Sequence, residues 1–110
     1  MHAPEIDETQ KEADIPVFKN ELEFQTAIAD IALLNGWLVY YNPDSRRSPS
    51  GFPDLVLLRE NELIFVEVKM PHKRPTAKQW EWLRRLILKP GVDAYVWHPA
   101  DFPVIEEVLK

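Results

Sequence analysis

The stretch Leu63-Ile64-Phe65-Val66-Glu67-Val68-Lys69 limits what this chain can fold into more than any other segment. Four apolar residues in succession fit a strand covered on both faces. Charge then enters at Glu67 and Lys69, which share one face because strand side chains repeat every two residues. A charge left buried and unpaired costs several kcal/mol. The end of this strand must therefore hold an ion pair or a metal ion, or lie open to water. A Glu-X-Lys on its own is most often a surface salt bridge, so its neighbours decide the matter.

The flanking segments supply those neighbours. Asn20 is a predicted N-cap, and Phe24, Ala27, Ile28, Ile31 and Leu34 or Asn35 follow the spacing of a buried helical stripe up to Gly36. Trp37 to Tyr41 is rich in strand formers. Asn42 to Pro53 concentrates Pro, Ser, Asp and Gly, a long loop of the kind that usually carries function. Asp54 to Leu58 reads as a second strand. The polar turn Arg59-Glu60-Asn61-Glu62 joins it to the third, Leu63 to Lys69, as an antiparallel hairpin. After the break at Pro71 to Pro75, Thr76 caps a helix to about Leu88 with Gln79, Leu83, Leu86 and Ile87 on one side, and Pro90-Gly91 stops it. Ala94 to His98 follows as a strand parallel to the third, reached by a right-handed helical crossover. A short helix over 101–110 completes the order α-β-β-β-α-β-α. The expected fold is one mixed four-stranded sheet flanked by helices, over residues 17–110, after an acidic tail over 1–16.

Asp54 changes the reading of Glu67 and Lys69. It opens the strand before them, so the hairpin brings Asp54, Glu67 and Lys69 to the same end. Two carboxylates and an ammonium can converge there. Hard cations such as Mg²⁺ prefer oxygen ligands of this type, and a structural network of two acids and a lysine is the alternative. Three scattered histidines and no cysteine argue against a zinc site.

Pro53-Asp54, twelve intervening residues and Glu67-Val68-Lys69 resemble the signature of the PD-(D/E)XK nucleases. The fuller set resembles one branch of them, the VRR-NUC domain. That set is Asn20-Glu21-Leu22-Glu23-Phe24-Gln25, Gly36-Trp37, Ser48-Pro49-Ser50-Gly51-Phe52-Pro53-Asp54-Leu55, Phe65-Val66-Glu67-Val68-Lys69 and Gln79-Trp80-Glu81-Trp82-Leu83, over about residues 20–100. The resemblance implies a restriction-endonuclease-like core and a Mg²⁺- or Mn²⁺-dependent endonuclease. Asp54, Glu67 and the Val68 carbonyl would hold the metal, and Lys69 would be the catalytic lysine. A first-helix acid would be a further ligand: Glu21 matches the spacing to Gln25, with Glu23 as its rival. Gln79 matches the glutamine that lines the site in the family, or is an ordinary capping residue. The resemblance also implies DNA as the partner, branched DNA such as Holliday (four-way) junctions in particular, handled by a homodimer, as in DNA repair.

Charge is distributed in keeping with that partner. The net charge is -5, yet residues 69–89 hold seven bases and only Glu81. A basic block in an acidic chain can mark a phosphate footprint or a solvated helix face. Arg46, Arg47 and Ser48 in the long loop, and Lys73, Arg74 and Lys78 beyond the third strand, are the candidate DNA contacts; Ser50 and His72 are weaker ones. His2 and His98 carry no signal, and the four tryptophans read as core or interface residues. The N-terminal stretch lacks the apolar run of a secretory signal, and no segment is apolar enough to span a bilayer. The expectation is a cytoplasmic protein with no membrane partner and no small-molecule cofactor. Two other classes compete with the nuclease: a catalytically silent nucleic-acid-binding or scaffold module on the same fold, and a plain structural α/β domain.

Overall fold

The computed structural model describes residues 15–42 and 50–110. Arg46, Arg47 and Ser48, and most of the expected N-terminal tail, fall outside them. Asn20 starts the first helix because its side-chain oxygen accepts the Glu23 N–H at 2.9 Å, satisfying a donor that a helix N-terminus leaves free. This helix, α1 (Glu21–Leu34), ends through Asn35 and then Gly36 at φ 85°, a left-handed position that suits glycine. Then follow β1 (Leu38–Tyr41), β2 (Leu55–Arg59), β3 (Glu62–Val68), α2 (Ala77–Ile87), β4 (Val92–Trp97), a 3₁₀ turn (Pro99–Asp101) and α3 (Phe102–Leu109).

The sheet runs β1-β2-β3-β4, with the first two pairings antiparallel and the last parallel. Hairpin and helical crossover therefore occur where the sequence places them. The turn is tighter than four residues. Arg59 pairs with Glu62, so only Glu60 and Asn61 cross over, with Glu60 at φ 51°. The Arg59–Glu62 ion pair at 3.2 Å closes it. This register also pairs Leu55 with Val66, and the next position along sets Asp54 across from Glu67.

Alternation along the strands separates two faces. Leu55, Leu57, Ile64, Val66, Val68 and Trp97 join Phe24, Ile28 and Ala32 of α1 and Ile105 and Leu109 of α3 in one core. Helix α2 covers the opposite face over β3 and β4 and buries Leu83. The helical stripes differ in detail from the sequence reading. In α1 the buried positions are Phe24, Ile28, Ala29 and Ala32, while Ala27 and Ile31 are half-buried and Leu34 is 87% exposed. Small alanines let the helix lie close on the sheet, so residue size was a poor guide to which side faces inward. In α2, Gln79 and Leu86 are half-buried but Ile87 is 54% exposed, lining an open cleft against Ala94, Tyr95 and Val96 of β4.

Candidate active site

Among the described residues Glu67 is the one charged residue in the buried set, at 1% exposure. Strand register forces it inward: β3 is interior to the sheet, and its α2-side face carries Phe65 and then Glu67. Its Oε1 accepts a hydrogen bond from Gln79 Nε2 at 3.0 Å and lies 3.7 Å from Lys69 Nζ. Its Oε2 is buried and receives no hydrogen bond. Asp54 lies alongside, held by the Val68 N–H, which donates to Asp54 Oδ2 at 2.8 Å. The neck of the long loop is tied to the same place. The Asn42 N–H donates to the Asp54 carbonyl at 2.9 Å, and Asn42 Nδ2 donates to the Phe52 carbonyl at 3.4 Å.

Two carboxyls this close cannot both ionise without strong repulsion. Burial, then the Asp54 carboxylate beside it, pushes the Glu67 carboxyl up to about 9 against the opposing pull of Lys69. A proton on Glu67 also lets it donate to Asp54, which two carboxylates cannot do. The Glu67–Lys69 contact is thus a full ion pair only once that proton leaves. Glu21 belongs to the same electrostatic group. Its carboxyl is raised by partial burial first and by Asp54 second, with Lys69 acting the other way. Glu23 instead lines a groove with Leu22, Thr26 and Asp30. Of the two helical acids, Glu21 is the one directed to the cluster.

The chemistry of this donor set fits a hard divalent cation. It offers carboxylate oxygens, one of them buried and lacking any donor. Among the described residues no three acidic or histidine side chains close into a ready-made metal cage. Mg²⁺ does not require one, because it keeps several waters and takes one or two carboxylates plus substrate phosphates. Val68 ends β3 next to Glu67 and gives its N–H to Asp54, and its carbonyl is a further candidate ligand.

The N-terminal turn of α2 supports the site from behind, through Thr76 and Gln79, both read from the sequence, and through Trp82, which was not assigned to the site. Thr76 and Gln79 form a capping box, so Gln79 both caps its helix and touches Glu67. The Trp82 indole donates to the Ser50 carbonyl at 3.1 Å, and its ring packs edge-on against Phe52. Gly51, at φ 90°, lets the loop press on α2: a Cβ there would sit 2.6 Å from the Lys78 carbonyl carbon and oxygen. The T-x-x-Q spacing was a visible signal for the cap; nothing in the sequence marks the Trp82 contact.

Lys73, Arg74 and Lys78 are exposed beyond β3, as is His72, at φ 67°. His98 has a place after all: its Nε2 lies 2.8 Å from the Lys73 carbonyl. That oxygen can only accept, so Nε2 carries the proton and fastens the basic loop to the end of β4. Trp37 and Trp97 are core residues, whereas Trp80 is exposed.

The family profile described as "VRR-NUC domain" matches residues 7–101. A solved structure described as "VRR_NUC domain" is similar at a TM-score of 0.64 and 25% sequence identity, over 81% of this chain and 92% of that one. No curated protein matches the chain.

Proposed function

The chain belongs to the VRR-NUC domain family, a nuclease-type fold, and from that premise we propose that it is a Mg²⁺- or Mn²⁺-dependent endonuclease cutting DNA phosphodiester bonds. The observation that carries this reading is the buried Glu67 Oε2, which receives no hydrogen bond among the described residues. Lys69 is the positively charged group that approaches this carboxyl, on its other oxygen, and a bound cation would supply the positive charge that Oε2 lacks.

In this reading Asp54, Glu67 and the Val68 carbonyl would hold the metal, with Glu21 as a further ligand. When bound, such an ion acidifies water and offsets charge on a phosphoryl oxygen. The protein's own groups do the rest. Lys69, 3.7 Å from Glu67 Oε1, points a donor at the attacking water or at the charge that develops on the phosphorus oxygens. Asp54 is held in place by the Val68 N–H. Lys73, Arg74 and Lys78, with Arg46, Arg47 and Ser48 of the long loop, grip flanking phosphates and set the position of the scissile bond. The water oxygen forms the new bond to phosphorus while the bond from phosphorus to the sugar oxygen breaks, and the proton lost by the water ends on that leaving oxygen.

We extend the reading to branched DNA, four-way junctions among them, handled by a homodimer. A symmetric pair would place two such sites on one substrate. Leu38, which is 70% exposed, and its cross-strand partner Leu58 offer apolar surface on the uncovered part of the sheet. Among the described residues no helix is long and apolar enough to cross a membrane.

The test is incubation of the purified chain with branched and linear DNA in Mg²⁺, Mn²⁺ or EDTA. Cleavage is expected only with metal, and Asp54→Ala and Lys69→Ala should each fold yet lose it. Unchanged cutting by either variant would refute the assigned chemistry. Binding of branched DNA without cleavage under every metal would make this a silent binding module.

A further inference from the structure

We propose that Gln79 is a positioning residue for Glu67, and that the helix cap at Thr76 dictates which way its amide faces. The Thr76 N–H donates to Gln79 Oε1 at 2.8 Å, and the Gln79 N–H donates to Thr76 Oγ1 at 3.2 Å. A backbone N–H can only donate, so the oxygen of the side-chain amide must face Thr76. The amide is planar, so its nitrogen must then face the other way, to Glu67 Oε1 at 3.0 Å. Chemistry therefore fixes the orientation.

A capping box accepts Glu or Gln at this position. Glutamate here would satisfy Thr76 equally well but would turn a second acceptor toward Glu67. Only the amide serves both ends. The consequence is asymmetry within one carboxyl group: Oε1 accepts from Gln79 and lies near Lys69, while Oε2 receives no hydrogen bond. Gln79 thereby sets which Glu67 oxygen is presented to a divalent cation. It touches neither cation nor substrate. The inference rests on the metal-dependent reading above.

Two substitutions separate this role from plain helix stability. Gln79→Glu keeps the cap and removes the donor; Thr76→Ala removes the hydroxyl but keeps the N–H that orients the amide. Mn²⁺ is titrated into the full chain by calorimetry, and thermal midpoints are read without metal. Gln79→Glu should keep its helix but bind Mn²⁺ about tenfold or more weakly, as loss of a hydrogen-bond partner behind a ligand does. Thr76→Ala should melt about 4–8 °C lower, from the lost cap, yet bind Mn²⁺ like the parent. Parent-like binding by Gln79→Glu would overturn the proposal, as would equal losses in both variants. Gln79→Met, similar in size and apolar, provides a second removal of the donor should the glutamate variant not fold. A metal-free measurement distinguishes the two claims. The Gln79 side-chain amide protons should exchange slowly with water in nitrogen-15 spectra of the parent and quickly in Glu67→Ala. A parent that takes up no Mn²⁺ but protects this amide defeats the nuclease reading and upholds the bond. Fast exchange in the parent overturns the proposal itself.

Discussion

Replacing Glu67 by glutamine should stabilise the metal-free protein, and increasingly so as the pH rises. In the folded chain the Glu67 carboxyl is pushed up to about 9 by burial and by Asp54, whereas in an unfolded chain it ionises near its ordinary value. Between those limits the folded state binds the extra proton, so stability falls with rising pH. It is fully present below the unfolded value and lost on the way up through the folded one. A single group in this position contributes at most about 1.4 kcal/mol per pH unit. From about pH 6 to pH 8 the parent should therefore lose on the order of 2–3 kcal/mol from this group. That agrees with the roughly 1–3 kcal/mol cost of burying an acceptor with no donor, which Glu67 Oε2 is. Glutamine mimics the protonated form: its oxygen can take the Gln79 donor, and its nitrogen can donate to Asp54. The assay is urea unfolding of Glu67→Gln and parent in EDTA across that pH range. The curves should diverge, with the variant ahead at the alkaline end. Parallel pH dependence in the two proteins would refute the argument, because it would mean that Glu67 is ionised in the folded state.

Two further outcomes follow from packing. Gly51→Ala puts a Cβ 2.6 Å from the Lys78 backbone at a position with φ 90°. It should cost about 2–4 kcal/mol in urea unfolding, from left-handed strain plus overpacking, and should weaken cleavage more than stability alone explains, since the same loop carries Asp54. Arg59→Ala should cost about 2–4 kcal/mol from lost charged hydrogen bonds and ring stacking, read in the same assay with no change in metal affinity. Its guanidinium lies 4.3 Å from the centre of the Trp37 ring and donates to the Asn35 and Leu109 carbonyls at 2.9 and 3.2 Å.

The order and pairing of elements were legible because they depend on short-range signals. Asn20, Gly36, Thr76 and Pro90-Gly91 mark helix ends by backbone chemistry, and the short link between β2 and β3 leaves only a hairpin. Asp54, Glu67 and Lys69 were legible as a group because a period of two and one hairpin suffice to bring them together. Other features were not. The inward side of α1 turns on Ala29 and Ala32, whose burial reflects how closely the helix approaches the sheet rather than their own hydrophobicity. The Trp82–Ser50 bond and the His98–Lys73 contact join segments far apart in sequence, and periodicity carries no information about such meetings. Gln79 lay between these cases. Its cap was readable from the spacing to Thr76, but its bond to Glu67 required the crossover helix to be placed in space.

Positive charge at this end of the sheet comes mainly from partial sources. The N-termini of α1 and α2 both arrive here, since Glu21 opens one and Gln79 lies in the first turn of the other. Helix N-termini carry about half a positive charge each and favour nearby acids. The Val68 N–H serves Asp54 and the Gln79 amide serves Glu67. Lys69 is the full charge closest at hand. All of this still leaves Glu67 raised to about 9, so the cluster remains short of positive charge and retains a proton near neutral pH. A metal ligand must shed that proton first. Uptake of Mn²⁺ near neutrality should therefore release about one proton, and affinity should climb with pH until Glu67 is ionised. Calorimetry in buffers of different ionisation enthalpy reads the proton count directly. Tight Mn²⁺ uptake with no proton release would show that the ion sits elsewhere, or that Glu67 was never protonated.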